Sequence, residues 1–196
     1  MNEAQPIRTK KDVNKMLASL HGRNRLMLQA GIGLGLRITD LLSLKIGDVR
    51  GRTEFTIHEG KTQKRRRMKI SATLREEFDK LDGEDDEYIF RSRQGGNKPI
   101  GRTQAYNILN DAGERAGLVI RGAAPEGKKK GPIISGAISC HSLRKSYGWF
   151  LYEKGTDITR IQHMLNHSSP QTTLAYIGIH NAEIDEAYES LDDIIS

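Results

Sequence analysis

Residues 54–70 read EFTIHEGKTQKRRRMKI, and in this stretch the period of the chain changes. EFTIH (54–58) and KRRRMKI (64–70) read as two strands around the short loop EGKTQ, which is hairpin spacing. Lys61 falls at the tip. One strand carries Lys64, Arg65, Arg66, Arg67 and Lys69, a density of positive charge suited to a polyanion rather than to a core.

On both sides of the hairpin the pattern is helical. Thr9 is placed to cap a helix whose apolar positions Val13, Met16, Leu17 and Leu20 follow three- and four-residue spacing. NRLMLQAGIGLGL forms a second helix that turns at Gly35, and a short helix begins at Thr39. After the hairpin, TLREEFDKL and RTQAYNILNDAGERAGL predict two helices separated by the short apolar segment EYIF. The glycine- and lysine-rich stretch from Arg121 to Ser139 reads as a mobile loop. Helical period returns over 141–153, 157–165, 171–176 and 181–195. The expected fold is mainly α with a small antiparallel β-hairpin, an α+β domain spanning 1–180. Residues 181–196 then form an acidic amphipathic helix whose apolar stripe suits contacts between protomers or docking on its own domain.

The 196 residues match one average domain of roughly 150 residues with an appendage. A mean hydropathy of −0.59 and the lack of an apolar run near the roughly 18 residues of a membrane span exclude a membrane protein. The N-terminus MNEAQPIRTKK lacks the hydrophobic segment of a secretion signal, and Cys140 is a single cysteine. The chain therefore reads as cytoplasmic and not disulfide-stapled. Net charge is +6. The segment 181–196 holds six acids and no base, so the 31 bases and 19 acids before it leave residues 1–180 at +12. Together with the lysines at 128–130, this is the charge distribution of a nucleic-acid binder, or else a solvated basic surface.

Breaking a DNA phosphodiester requires neutralisation of the phosphoryl charge, a nucleophile and an acid for the leaving oxygen. A metal is a poor fit here. The helical pair His163 and His167 has Met164 where a zinc-peptidase motif needs Glu, and no acidic cluster has ligand spacing. The charge is left to arginine and lysine. Arg37 opens a helix after a Gly-Leu turn, and His141 and Arg144, three apart at a helix start, share a face. Taken singly, Arg37, Lys61, the His141/Arg144 pair, His167 and Tyr176 all have ordinary structural explanations: a surface ion pair, a solvated turn, a helix cap, a core aromatic.

Their order and phrasing carry more. GLGLRITDLLSLKIGDV, EGKTQKRRRMKI, HSLR and LNHSSPQTTLAYI, taken together, resemble the catalytic domain of the tyrosine recombinases, the phage integrase family. The match runs from about Thr9 to Ile179. The resemblance implies that Arg37 is the first catalytic arginine, Lys61 the hairpin lysine, His141 and Arg144 the His-x-x-Arg pair, His167 the last histidine and Tyr176 the nucleophile. It also departs from the pattern. The usual Leu-Gly-His is Leu165-Asn166-His167 here, the 121–139 loop is longer and more basic, and no N-terminal DNA-clamping domain is expected before Thr9.

What the resemblance implies chemically is cleavage and rejoining of DNA through a 3′-phosphotyrosine, without metal or nucleotide cofactor. Asp40, one turn after Arg37, would orient that arginine. Lys64, Arg65, Arg66, Arg67, Lys69, Arg102, Lys128, Lys129 and Lys130 would meet the DNA backbone. The implied partners are double-stranded recombination sites, a homotetramer on DNA, and accessory bending or directionality proteins. A regulator that keeps the fold and binds DNA without recombining it is the alternative. A hydrolase built on Cys140 and His141 fails, because adjacent helical residues do not face each other.

Overall fold

The computed structural model describes residues 5–60 and 64–179. They fall into two compact units, the first running to Tyr147 and the second starting at Gly148.

In the first unit, α1 (Lys10–Ala18) begins where expected. The Thr9 side chain accepts the Asp12 N–H at 3.0 Å, satisfying one of the helix's orphan donors. The helix α2 (Gly22–Leu34) stops at Gly35, which takes φ +59. An added Cβ at Gly35 would also collide with the ring of Tyr147, so glycine is required there on two counts. The helices α3 (Ile38–Leu42) and α4 (Ile46–Val49) follow, the second too short to show a period in the sequence.

Strands β1 (Glu54–His58) and β2 (Arg65–Lys69) pair antiparallel, with Phe55 opposite Met68 and Ile57 opposite Arg66. Phe55, Ile57 and Met68 face the core while Thr56, Arg65, Arg67 and Lys69 face outward, as the period of two requires. The helices α5 (Ala72–Asp79), with Ser71 accepting from the Leu74 N–H, and α6 (Arg102–Arg115) complete the unit's helices up to α7 (Cys140–Glu153). One continuous core, including Met27, Leu28, Leu34, Leu41, Phe78, Phe90, Leu109 and Leu143, joins them.

The stretch expected to be a mobile loop is partly ordered. Within it β3 (Ile120–Arg121) pairs with β4 (Ile133–Ser135) through a bulge. Arg121 also ion-pairs with Glu114 at 2.9 Å and Asp111 at 3.3 Å. Glycine and lysine content signalled a loop, but a two-residue strand has no readable period.

In the second unit, the remainder of α7 packs with α8 (Ile158–Leu165) and α9 (Pro170–Ile177). Gly148 lets Ile177 and Leu165 close directly onto the α7 backbone, and Ile161, Leu165, Ile177 and Ile179 are buried. Asp157 and Ser169 cap the two short helices. The acidic segment 181–196 lies outside the described residues.

Candidate active site

The first unit builds half of the predicted constellation around the turn at Gly35. Two residues beyond that turn, Arg37 sits in extended backbone as the N-cap of α3. Its Nη1 donates to Glu59 Oε2 at 2.6 Å. The carbonyl of Gly35 accepts from Arg144 Nη1 at 2.9 Å, a buried bond across 109 residues of sequence. One left-handed residue thus both aims Arg37 and anchors the second arginine.

The start of α7 is held from two directions. Ser139 N–H donates to Ser142 Oγ, and His141 N–H donates to Ser139 Oγ, which satisfies N–H groups that a helix start otherwise leaves open. Immediately before them, Asn110 of α6 accepts from Ile138 N–H at 3.1 Å and donates to Ile138 O at 2.7 Å. In this way a side chain does the work of a neighbouring strand. From this start His141 is exposed, and one turn on Arg144 is 3% exposed.

Arg37, Thr39, Arg102, His141 and Arg144 line one cavity of about 260 Å³. Three guanidiniums and an imidazole around a space of that size suit a tetrahedral oxyanion, since a planar guanidinium donates paired hydrogen bonds to such oxygens and stays charged. Cys140 also lies on this wall. Burial raises its thiol pKa above the ordinary value against the pull of Arg102, and its Sγ donates to Arg102 O at 3.7 Å. It is a packed, protonated thiol rather than a nucleophile. A larger open cleft of about 920 Å³ lies among His21, Arg23, Glu87, Arg91 and Arg93. None of the five predicted catalytic positions among the described residues is on its wall.

The second unit places His167 and Tyr176 together. Their rings meet edge to face with centroids 4.8 Å apart. Asn166 ends α8 at φ 52, ψ 47, the left-handed cap that glycine would take, and Asn is the side chain that tolerates it best. The departure from Leu-Gly-His therefore leaves the turn intact. His167 N–H donates to Gln162 O at 3.0 Å, and Gln162 Nε2 returns a bond to His167 O at 3.1 Å. The Thr173 hydroxyl donates to Ser169 O at 3.1 Å and lies 3.2 Å from His167 Nδ1. Its one proton is committed, so it accepts from Nδ1–H, an assignment made from the network. In the neutral ring Nε2 is then the acceptor nitrogen.

The remaining predicted residues are distributed as follows. Lys61 lies outside the described residues. Lys64, Arg65 and Lys69 are exposed on the hairpin. Arg67, also exposed, pairs with Glu54, and Arg66 turns inward to Glu59 at 3.4 Å. Arg102 opens α6 at the cavity. Lys128 and Lys129 are exposed, and Lys130 pairs with Asp111. The carboxylate that holds Arg37 is that of Glu59. Asp40, expected in that role, is 4% exposed and accepts the Gly60 N–H at 3.1 Å. Glu59, Asn110 and Thr173 were not singled out in the sequence. Glu59 extends the inward series 55, 57, 59 of β1, and an acid at an inward position is the signal that was available.

The architecture agrees with the comparisons. The phage integrase family model matches residues 7–183. The chain belongs to the phage integrase family. It is 34% identical over 194 residues to a Bacillus subtilis protein named "Probable integrase/recombinase YoeC", covering 96% of this chain and 97% of that one. It is 28% identical to the tyrosine recombinase XerA of Pyrococcus furiosus, covering 92% of this chain and 60% of XerA. With the XerD of Oceanobacillus iheyensis it shares 29% identity, covering 90% and 57%. The chain thus spans nearly all of the first relative and somewhat over half of the Xer proteins. Among solved structures, a XerA recombinase crystal structure superposes with TM-score 0.69 at 19% identity over 97% of this chain and 65% of that one. The catalytic domain of bacteriophage HP1 integrase gives 0.55 at 19% identity, covering 95% of each. These likenesses establish the tyrosine-recombinase catalytic-domain fold.

Proposed function

We propose that this phage integrase family member is a tyrosine-type site-specific recombinase acting on double-stranded DNA. The observation that carries the reading is the cavity where Arg37, Arg102, His141 and Arg144 converge. Arg37 and Arg144 clamp the non-bridging oxygens of the scissile phosphate and meet the charge that develops in the transition state. The Tyr176 hydroxyl attacks phosphorus, the bond to the 5′ oxygen breaks, and a 3′-phosphotyrosine forms. The bond energy is kept, so the chemistry calls for no nucleotide.

A phenol with a reference pKa of about 10 needs a base near pH 7, and His141 takes its proton. Lys61 protonates the departing 5′ oxygen. With Nδ1–H held by Thr173, His167 donates from Nε2 to a phosphate oxygen only as the imidazolium, so its charge and its hydrogen bond arrive together. Religation to another 5′ hydroxyl reverses these roles. Lys64, Arg65, Lys69, Lys128 and Lys129 supply backbone contacts. A homotetramer on paired sites, joined through the acidic 181–196 segment, and action at the nucleoid with accessory proteins complete the proposal.

The test is a nicked suicide duplex built from junction DNA flanking the coding locus. The native chain is expected to form a denaturation-resistant adduct and Tyr176→Phe none. Duplex binding without an adduct on any junction would replace the recombinase with the regulator.

A further inference from the structure

The Glu59 carboxylate is 1% exposed and sits between two guanidiniums from different parts of the first unit: Arg37 Nη1 at 2.6 Å and Arg66 Nη1 at 3.4 Å. Arg37 comes from the α2–α3 junction and Arg66 from β2. The backbone of Glu59 continues the hairpin, its N–H donating to Lys64 O at 3.0 Å. The next residue, Gly60, gives its N–H to Asp40. Arg37 and Asp40, three apart at the start of α3, therefore grip two consecutive residues at the base of the hairpin loop, directly before Lys61.

We infer that Glu59 is a positioning residue that locks the Arg37 guanidinium and strand β2 into one charge-linked unit, so that phosphate clamp and hairpin are set together. The inference rests on reading Arg37 as part of the phosphate clamp. Arginine has several rotatable bonds, and a guanidinium that must search for its geometry contributes little at the moment of reaction. Glu59 occupies one edge of the Arg37 fork and leaves other N–H groups for the phosphate. Buried carboxylates require compensation, so the pair also fixes Arg66 inward, where strand alternation alone would tolerate an apolar residue. Displacement of the carboxylate therefore loosens both the guanidinium that meets the non-bridging oxygens and its tie to strand β2.

Two measurements on the full chain test this, using Glu59→Gln and Glu59→Asp. The first needs no DNA: arginine side-chain NMR, with the Arg37 signal assigned by its loss in Arg37→Lys. Slowly rotating, resolved Nη–H resonances are expected in the native chain, averaged ones in Glu59→Gln and partial restoration in Glu59→Asp. Indistinguishable Arg37 signals in native and Gln chains overturn the inference. The second is single-turnover cleavage at saturating nicked duplex. Glu59→Gln is expected to slow adduct formation roughly ten- to a hundredfold, while duplex affinity stays within about threefold and Glu59→Asp recovers part of the rate. On a methylphosphonate at the scissile position, which removes one non-bridging charge, the gap should narrow, because the charge that Arg37 is held to meet is gone. An unchanged rate, or a gap that persists on the neutral linkage, rejects the positioning role. Circular dichroism checks folding, and should Glu59→Gln unfold, Glu59→Asp carries both measurements. If the native chain forms no adduct, the recombinase reading fails, and the NMR result still decides Glu59.

Discussion

Asn166 shows how much one backbone conformation can demand of one residue. Its φ of 52 penalises a side chain branching at Cβ and most others, with a cost of roughly 1–2 kcal/mol for an L-residue lacking a compensating bond. Asn166→Gly is expected to leave stability within about 0.5 kcal/mol and adduct formation intact, whereas Asn166→Ala should lose about 1 kcal/mol. Urea unfolding checks both. At Gly35 the demand is doubled, because φ is +59 and Tyr147 fills the space of a side chain. Gly35→Ala should therefore destabilise by several kcal/mol, about 3 or more. It should also abolish adduct formation in whatever protein still folds, since Gly35 O is the acceptor of Arg144. A thermal melt combined with the suicide-substrate assay separates the two losses.

At the level of elements, the register between α6 and the segment entering α7 depends on Asn110, which answers both backbone groups of Ile138. Asn110→Ala leaves two buried main-chain groups unpaired, at about 1–3 kcal/mol each when water cannot reach them. The expected fall in Tm is about 5–10 °C, measured by calorimetry. Asn110→Asp should rescue only part of it, because it keeps the acceptor for the Ile138 N–H and loses the donor to Ile138 O. The elements that the sequence announced, α1, α2, α3, β1, β2, α5, α6, α7, α8 and α9, lie close to where it placed them. Those it did not announce, α4 and the β3–β4 pair, are four residues or fewer per element, and a period of 3.6 or 2 cannot be read from so few positions.

For the whole molecule, charge and protonation set the conditions under which it works. DNA affinity should fall steeply with salt, and replacing Arg65 and Lys69 by Ala should flatten the log–log slope by about 1–2. Fluorescence anisotropy at several salt concentrations measures this. Arg67 should matter less, since Glu54 already partly neutralises it. Burial raises the pKa of the Cys140 thiol and of the Tyr147 phenol. The unfolded chain gives up these protons from about pH 8.5 for a thiol and about pH 10 for a phenol, while the folded chain retains them. Stability is therefore complete below that range and declines as pH rises through it. Denaturant melts should show the decline, and Cys140→Ser should remove its lower-pH part.

Periodicity and caps sufficed for the longer helices and the two strands of the basic hairpin, and the order of motifs sufficed for the family, because each of these is carried by residues near one another in the chain or by a fixed sequence of motifs. Which carboxylate meets Arg37 was open to neither kind of reading. Asp40 was the natural choice at one helical turn, yet strand alternation delivers Glu59, 22 residues away, to the same guanidinium. The same holds for Arg144 at Gly35, Asn110 at Ile138 and Arg102 beside His141. Such pairings follow from where the chain returns in space, and only the packing of a common core sets that.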